Sequence, residues 1–201
     1  DQVMSFSERS NGQLVFAALV TQDQQTRILR YSLDGLFDPT FWALLDPIPP
    51  SAAATANVLA LPEGGVLVGG RFRGVGGVQR TNLALLTPTG TLEPSFADLG
   101  GASGPITALL RFQDGRFCVA GSFTNIQGLS RSRLAILKTD GTVDDSFTPP
   151  ALSSDAQILQ LFRAADGGVI AAGRWSAADG APRAGLIKLG LTGQVDPLAY
   201  G

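Results

Sequence analysis

The chain has 201 residues, of which 44% are hydrophobic and 16% are charged, so it has ample apolar material for a packed core. Fifteen basic residues nearly balance 17 acidic ones, and the net charge of −2 leaves no basic surface for nucleic acid or an anionic membrane. The absence of histidine excludes a Ser-His-Asp or Cys-His centre, histidine-bound zinc and a histidine pH switch.

The single cysteine and the lengths of the apolar runs add further limits. Cys118 lies inside the apolar run Phe117-Cys118-Val119-Ala120, which predicts a buried small hydrophobe rather than a reactive thiol. No apolar run approaches the roughly 18–20 residues that span a bilayer, and no signal-peptide pattern opens the chain. Because the sequence begins at Asp1, we expect a processed protein or a fragment.

Glycines recur at a nearly fixed period along the whole chain, which indicates an internal repeat. The first series follows a short apolar run, and its members lie 51 or 52 residues apart, at Gly12, Gly64, Gly115 and Gly167. The second series marks a later turn in each copy, at Gly35, Gly90, Gly141 and Gly193. The chain therefore divides into four repeats with approximate boundaries 1–50, 51–102, 103–153 and 154–201.

Each repeat contains the signals of four short strands. The first two runs are joined by a dipeptide such as Asn-Gly or Asp-Gly, which accepts the positive φ of a tight hairpin. An excursion of eight to ten residues leads to a third strand, and a fourth strand ends near Phe41, Phe96 or Phe147. Since one such sheet cannot bury both faces, we predict an all-β propeller with one four-stranded antiparallel blade per repeat. The four blades either close a ring or form half of a larger ring, and a tandem solenoid is the alternative.

The third repeat carries the most complete set of motifs. It has G-x-F from Gly121 to Phe123, G-x-x-R from Gly128 to Arg131, and the pattern L-x-x-D-G-x-x-D-x-x-F ending at Phe147. Repeats 2 and 4 keep the Gly-x-aromatic and G-x-x-R motifs, and repeat 1 lacks both. This pattern resembles the delta-60 repeat of bacterial β-propeller proteins over nearly the whole chain. The resemblance implies a β-propeller of a secreted or cell-surface protein, and it implies nothing about an activity.

The charged residues that recur in the repeats can each be interpreted as ligand-binding or as structural. Asp140 and Asp144 have an i, i+4 spacing that suits calcium, but turn-stabilising roles explain the same residues, because only repeats 1 and 3 carry both acids. The arginines of the G-x-x-R motif form either a basic ligand ring or, as we favour, structural forks to loop carbonyls or turn carboxylates; they are Arg80, Arg131 and Arg183.

The aromatic residues that end the Gly-x-aromatic motif are predicted to lie in the core between blades; they are Phe72, Phe123 and Trp175.

The excursions between the second and third strands are the most variable parts of the repeats. They are expected on the rim opposite the Asp-Gly turns, and variable loops on a rigid scaffold commonly carry binding residues. We therefore predict a partner-binding surface on this rim, with one aromatic anchor and several polar side chains. Its candidate residues are Trp42, Arg73, Asn125, Gln127 and Asp179.

The predicted function is a non-enzymatic binding or adhesion module for a protein or glycan partner, with no cofactor, metal or nucleic acid. Two alternatives stay open. A structural subunit of a larger extracellular assembly, including a homodimer, would expose an apolar patch or a ring edge. A hydrolase would place a carboxylate pair in the central channel, for which Glu8, Glu63 and Glu93 are available.

Overall fold

The structure is a computed structural model that describes residues 2–20, 22–49, 54–96, 100–182 and 185–197. The regular structure in these ranges is β-strand, and they contain no helix that could cross a membrane. Repeat 1 contains β1 (Gln2–Glu8), β2 (Leu14–Val20), β3 (Gln25–Tyr31) and β4 (Phe37–Asp46). Repeat 2 contains β5 (Thr55–Ala60), β6 (Val66–Arg71), β7 (Gly74–Val75), β8 (Val78–Gln79) and β9 (Leu83–Leu86).

The last two repeats follow the pattern of repeat 2. Repeat 3 contains β10 (Ile106–Arg111), β11 (Phe117–Gly121), β12 (Asn125–Ile126), β13 (Leu129–Ser130) and β14 (Leu134–Leu137). Repeat 4 contains β15 (Gln157–Arg163), β16 (Val169–Arg174), β17 (Ala177–Ala178), β18 (Ala181–Pro182) and β19 (Leu186–Leu189). All of the strand pairs are antiparallel, and the main sheets have the orders β1-β2-β3-β4, β5-β6-β9, β10-β11-β14 and β15-β16-β19. The prediction of an all-β antiparallel repeat structure is therefore confirmed.

The fourth strand is complete only in repeat 1, which corrects the prediction of four strands in every repeat. In the described parts of repeats 2 to 4 it is reduced to a single bridge, such as the one between Leu137 and Val143. The physical reason is a tight turn that follows at once, closed in repeat 3 by a hydrogen bond from the N–H of Phe147 to the carbonyl of Asp144 (3.3 Å). That turn directs the chain away from the sheet.

The excursions of repeats 2 to 4 are β-hairpins rather than irregular loops. Each hairpin joins two strands of two residues through a two-residue turn in which both residues have positive φ, the conformation of a type I′ turn. The turns are Gly76-Gly77, Gln127-Gly128 and Asp179-Gly180. Strands of two residues are too short to show an alternating pattern, so the sequence did not reveal them.

The core lies between successive sheets, in three clusters that join repeats 1 and 2, 2 and 3, and 3 and 4. The predicted core positions Phe72, Phe123 and Trp175 are all buried, which confirms their assignment. Cys118 is completely buried, and burial raises the pKa of its thiol, so the prediction of an unreactive core cysteine agrees with its surroundings.

The glycine of the Gly-x-aromatic motif lies against the backbone of the first strand of its own repeat. A Cβ at Gly121 would lie 2.1 Å from the carbonyl oxygen of Pro105, which is far inside van der Waals contact. The corresponding distances are 1.9 Å from Gly70 to the Thr55 oxygen and 2.0 Å from Gly173 to the Gln157 oxygen. The motif therefore requires glycine for close approach of two strands.

The first strands of the four repeats lie side by side in the order β1, β5, β10, β15. Polar side chains join each neighbouring pair. Ser5 Oγ and Ser7 Oγ accept from the N–H groups of Val58 (3.2 Å) and Ala60 (2.9 Å). Asn57 Nδ2 donates to the carbonyl of Ile106 (3.2 Å), and Thr107 Oγ1 donates to that of Ile158 (2.6 Å). Within the described strands, no comparable packing joins β15 back to β1. The stack of four sheets therefore has two free ends.

Candidate functional site

The turn aspartates accept hydrogen bonds from residues of their own turns. Asp38, Asp140 and Asp144 each accept two hydrogen bonds from the Ser or Thr two residues later, one from its hydroxyl and one from its N–H, at 2.6–3.0 Å. These are Asx-type turns, which supports the structural explanation for the Asp pattern over calcium binding.

A cationic side chain near these turns recurs in three repeats, from equivalent positions in repeats 1 and 4 and from a different position in repeat 3. Arg30 reaches Asp38 at 2.8 Å in repeat 1, and Arg116 reaches Asp144 at 2.8 Å in repeat 3. In repeat 4, Lys188 bridges Asp166 (2.6 Å) and Asp196 (3.2 Å), and these ion pairs raise the pKa of Lys188. The hydroxyl of Ser146, followed by the Arg116 guanidinium, holds the pKa of the Asp144 carboxyl below its ordinary value.

The lowered pKa of Asp144 predicts a pH-dependent stability. The folded state favours the carboxylate, so its contribution is present above the unfolded pKa of about 3.9 and is lost as the pH falls through the folded pKa. The variant Asp144→Asn should therefore have a lower Tm than the native chain at pH 7, and the difference should shrink below about pH 4. Thermal melts from pH 2.5 to 7 measure this, with Asp34→Asn as the exposed-turn control. A difference that does not change with pH would contradict the ion-pair assignment.

Two of the three arginines of the G-x-x-R motif, Arg80 and Arg131, are structural forks, as predicted. Arg80 donates to the carbonyls of Gln79 (2.9 Å) and Pro94 (2.8 Å). Arg131 makes the equivalent contacts with the carbonyl of Ser130 and the carboxylate of Asp145, both at 3.0 Å. The third member of the series, Arg183, lies outside the described residues.

Three of the predicted binding residues hold the hairpins in place. Gln127 is buried, with only 7% of its surface exposed, and its side chain donates to the carbonyl of Gly141. A carboxylate oxygen of Asp179 accepts from the N–H of Ala151 (2.8 Å). Asn125 is exposed, and its carbonyl accepts from the N–H of Ser103 (2.9 Å). The Asp179 and Asn125 contacts attach their hairpins to the segment arriving from the preceding repeat, whereas the Gln127 contact joins its hairpin to the second turn of its own repeat.

The predicted aromatic anchor, Trp42, lies within β4 rather than in a rim loop. It pairs with Leu29 of β3, and its side chain is 55% exposed on the face of repeat 1 that points away from repeat 2. The structure therefore does not bring Trp42 together with the predicted polar residues.

The fifth predicted residue, Arg73, lines a polar groove on the variable rim between repeats 1 and 2. The groove encloses about 400 Å³ and is lined by Asp46, Arg73, Gly74, Gly77 and Gln79. Pairing of β4 with β7 builds it, and the N–H of Arg73 donates to the Asp46 carbonyl (2.9 Å). We call this cleft the rim groove.

The side chains of the rim groove are arranged for polar recognition. Asp46 Oδ2 accepts from the N–H of Gly77 (2.8 Å), which fixes the carboxylate at one side. No described residue accepts a hydrogen bond from the guanidinium of Arg73, and none pairs with the side-chain amide of Gln79. An unpaired guanidinium, an amide and a carboxylate can bind a ligand that carries carboxyl and hydroxyl groups.

A second, smaller hollow lies on the other side of Asp46. It encloses about 210 Å³, and its polar lining includes Asp23, Gln25 and Thr26. The rim groove and this hollow therefore form a polar strip along the boundary between repeats 1 and 2. Neither Asp46 nor Gln79 was identified from the sequence, although Gln79 lies in one of the excursions recognised there as variable.

A further groove follows the first strands along the inner side of the stack. It encloses about 270 Å³, and its lining includes Ser5, Asn57, Thr107, Leu109 and Leu159. None of the described residues that line it is acidic. Two of the three glutamates considered for hydrolysis make contacts elsewhere: Glu63 lies 3.6 Å from Arg111, and Glu93 accepts from the Ser95 hydroxyl (2.7 Å).

Comparison with known proteins gives one family match and several structural matches. A family model described as "Domain of unknown function (DUF5122) beta-propeller" matches residues 9–41, 62–96 and 113–147, just over half of the chain. No curated protein matches the chain.

Two solved structures share the fold at low sequence identity. The extracellular domain of a candidate one-component system, BT4673 of B. thetaiotaomicron, is 13% identical, with a TM-score of 0.52 over 92% of this chain and 21% of that one. A protein of unknown function from Bacteroides caccae is 11% identical, with a TM-score of 0.50 over 96% of this chain and 59% of that one. The chain therefore spans about a fifth of the first protein and about three fifths of the second.

Proposed function

Because the chain belongs to the DUF5122 β-propeller family, we propose that it is a non-enzymatic binding module of a secreted or cell-surface bacterial protein. The extracellular location of one structural neighbour supports the proposed location. The delta-60 motifs quoted above agree with this assignment, and the naming of the repeat as delta-60 stays a prediction. We place the binding function at the rim groove.

The observation that carries the proposal is the Arg73 guanidinium, which has no partner among the residues that the structure describes and shares a groove of about 400 Å³ with Asp46 and Gln79. A guanidinium presents a planar fork of donors that matches a carboxylate. Asp46 and Gln79 supply an acceptor and an amide of the kind that bind sugar hydroxyls. The groove thus favours a glycan that carries a carboxylate group, and an acidic protein segment is the alternative ligand.

The variant Arg73→Ala should lower affinity for acidic glycans by about 10-fold to 100-fold. This follows from the roughly 1.5–3 kcal/mol that a hydrogen bond to a charged group contributes. A glycan array selects the ligand, and titration calorimetry then compares the native chain, Arg73→Ala and the matched control Lys138→Ala. The control removes a positive charge that does not line the rim groove, so it should bind normally. Equal losses in both variants, or no loss in Arg73→Ala, would contradict the assignment of the groove.

A structural role in a larger assembly is favoured by a separate observation. Large apolar side chains are exposed at both ends of the stack, among them Phe6 at 65% and Phe162 at 49%. Such patches commonly mark protein interfaces.

A further inference from the structure

The outward face of repeat 1 is a continuous apolar surface. Ring centroids lie 6.2 Å apart between Phe6 and Phe16, 5.5 Å between Phe16 and Tyr31, and 5.6 Å between Tyr31 and Phe37. A shallow groove of about 270 Å³ crosses this surface. We call it the N-terminal end face, and it consists of Val3, Phe6, Leu14, Phe16, Leu29, Tyr31 and Phe37.

These positions are buried in the repeat that follows. Aligned on Gly12 and Gly64, Phe6 corresponds to Val58 and Phe16 to Val68. Aligned on Gly35 and Gly90, Leu29 corresponds to Ala84 and Tyr31 to Leu86. All four counterparts are buried in the cluster between repeats 1 and 2. The N-terminal end face is thus the face with which a repeat packs against its predecessor.

The outward face of repeat 4 is the opposite kind of surface. We call it the C-terminal end face, and it consists of Phe162, Ile170, Ala172, Leu186 and Lys188. Their counterparts in repeat 3 pack into the cluster between repeats 3 and 4; they are Leu110, Cys118, Ala120, Leu134 and Ile136. The C-terminal end face is thus the face with which a repeat packs against its successor.

A polar contact across a repeat boundary supports this correspondence. Arg30 of repeat 1 pairs with Asp38 (2.8 Å) and also donates to the carbonyl of Pro88 in repeat 2 (3.0 Å). Lys188 occupies the position of Arg30 and makes the corresponding ion pair with Asp196 (3.2 Å). The position of Pro88 in repeat 1 is held by Leu33, which is 70% exposed at the edge of the N-terminal end face.

We propose that the partner of these faces is a second copy of the chain, bound head to tail. The C-terminal end face of one protomer packs against the N-terminal end face of the other, and Lys188 approaches the Leu33 turn of the partner. Both contacts form at once around a two-fold axis, because each chain carries one face of each kind. The dimer is a closed propeller of eight repeats with no free apolar end, which is the usual outcome for a ring of identical subunits.

Two features of the faces favour a second copy over an unrelated protein. The N-terminal end face corresponds to the side of a repeat that packs on its predecessor, and the C-terminal end face to the side that packs on its successor. The two faces are therefore the two halves of an interface that already occurs three times within the chain. They also lie at opposite ends of the stack, where a single small partner would cover only one of them. This inference does not depend on the ligand proposed for the rim groove.

The test is the mass of the chain in solution, measured by light scattering after size exclusion from 1 to 200 μM. The native chain should elute with twice its mass of 20.9 kDa. The variants Phe6→Glu and Phe162→Glu each place a charge on one end face and should be monomeric. Both positions are largely exposed in the chain, so each variant should fold, as circular dichroism would verify. Leu129→Glu, on the exposed hairpin of repeat 3, is the control and should remain dimeric.

Mixing the two variants identifies the head-to-tail arrangement. The Phe6→Glu variant keeps an intact C-terminal end face, and the Phe162→Glu variant keeps an intact N-terminal end face. A mixture of the two therefore contains one intact pair of faces, and a heterodimer should form. A native chain that stays monomeric at 200 μM would overturn the proposal. A dimer that survives Phe162→Glu, or a mixture that stays monomeric, would also overturn it, since the faces would then not pair as described.

Discussion

Replacing Gly121 with alanine is expected to lower the free energy of unfolding by about 3 kcal/mol or more, at the upper end of the range for overpacked sites. The added Cβ would lie 2.1 Å from the carbonyl oxygen of Pro105, and a backbone atom cannot rotate away as a side chain can. Strands β10 and β11 would have to separate next to the core cluster around Phe123. Urea denaturation followed by circular dichroism measures the loss.

The matched control for this variant is Gly190→Ala. Neither glycine has positive φ, so alanine introduces no left-handed strain at either site. A Cβ at Gly190 would meet only the end of the flexible Gln194 side chain, at 2.9–3.1 Å. We expect a change within about 0.5 kcal/mol for this variant. Similar losses at both positions would show that the close approach of Pro105 is not the cause.

The variant Phe123→Ala should cost about 3–5 kcal/mol, as is typical for the truncation of a fully buried phenylalanine. Phe123 is completely buried in the cluster between repeats 2 and 3, so its removal leaves a cavity as well as losing apolar burial. The midpoint of urea denaturation should fall with little change in its slope.

Leu129→Ala serves as the control for the core truncation. Leu129 lies in the β12–β13 hairpin of the same repeat and is 43% exposed, so its truncation should cost less than about 1 kcal/mol. A loss below 1 kcal/mol for Phe123→Ala would contradict its placement between the sheets.

The repeat period and the core were predictable because they rest on local chemistry. Glycines such as Gly115 and Gly141 adopt positive φ at tight turns, and the turns divide the chain into copies. Phe123 follows a run of buried residues in β11, so its burial could be expected from the pattern alone. The prediction of a fourth strand in every repeat was wrong, because the tight turn after Asp144 depends on a single hydrogen bond, which an apolar pattern does not encode.

The candidate site was only partly predictable. Gln127 and Asp179 each precede a glycine, and this X-Gly pair was a signal for a hairpin turn that could have assigned them a structural role. Arg73 was identified as a candidate, whereas Asp46 and Gln79 were not. The groove that joins them depends on pairing between β4 and β7, and no local pattern reveals a contact between segments so far apart.

Backbone hydrogen bonds join every pair of neighbouring repeats, although at the first boundary they belong to a continuous sheet. Strands β1 to β4, β7 and β8 form one six-stranded sheet that spans repeats 1 and 2. Among the described residues, bridges between Ala102 and Ile126 and between Leu152 and Ala178 make the corresponding contacts at the later boundaries. In a repeat protein the stability is the sum of the units and their nearest-neighbour terms. The two outer repeats of the stack each pack against one neighbour, whereas repeats 2 and 3 pack against two, so we expect fraying of the free stack to begin at its ends.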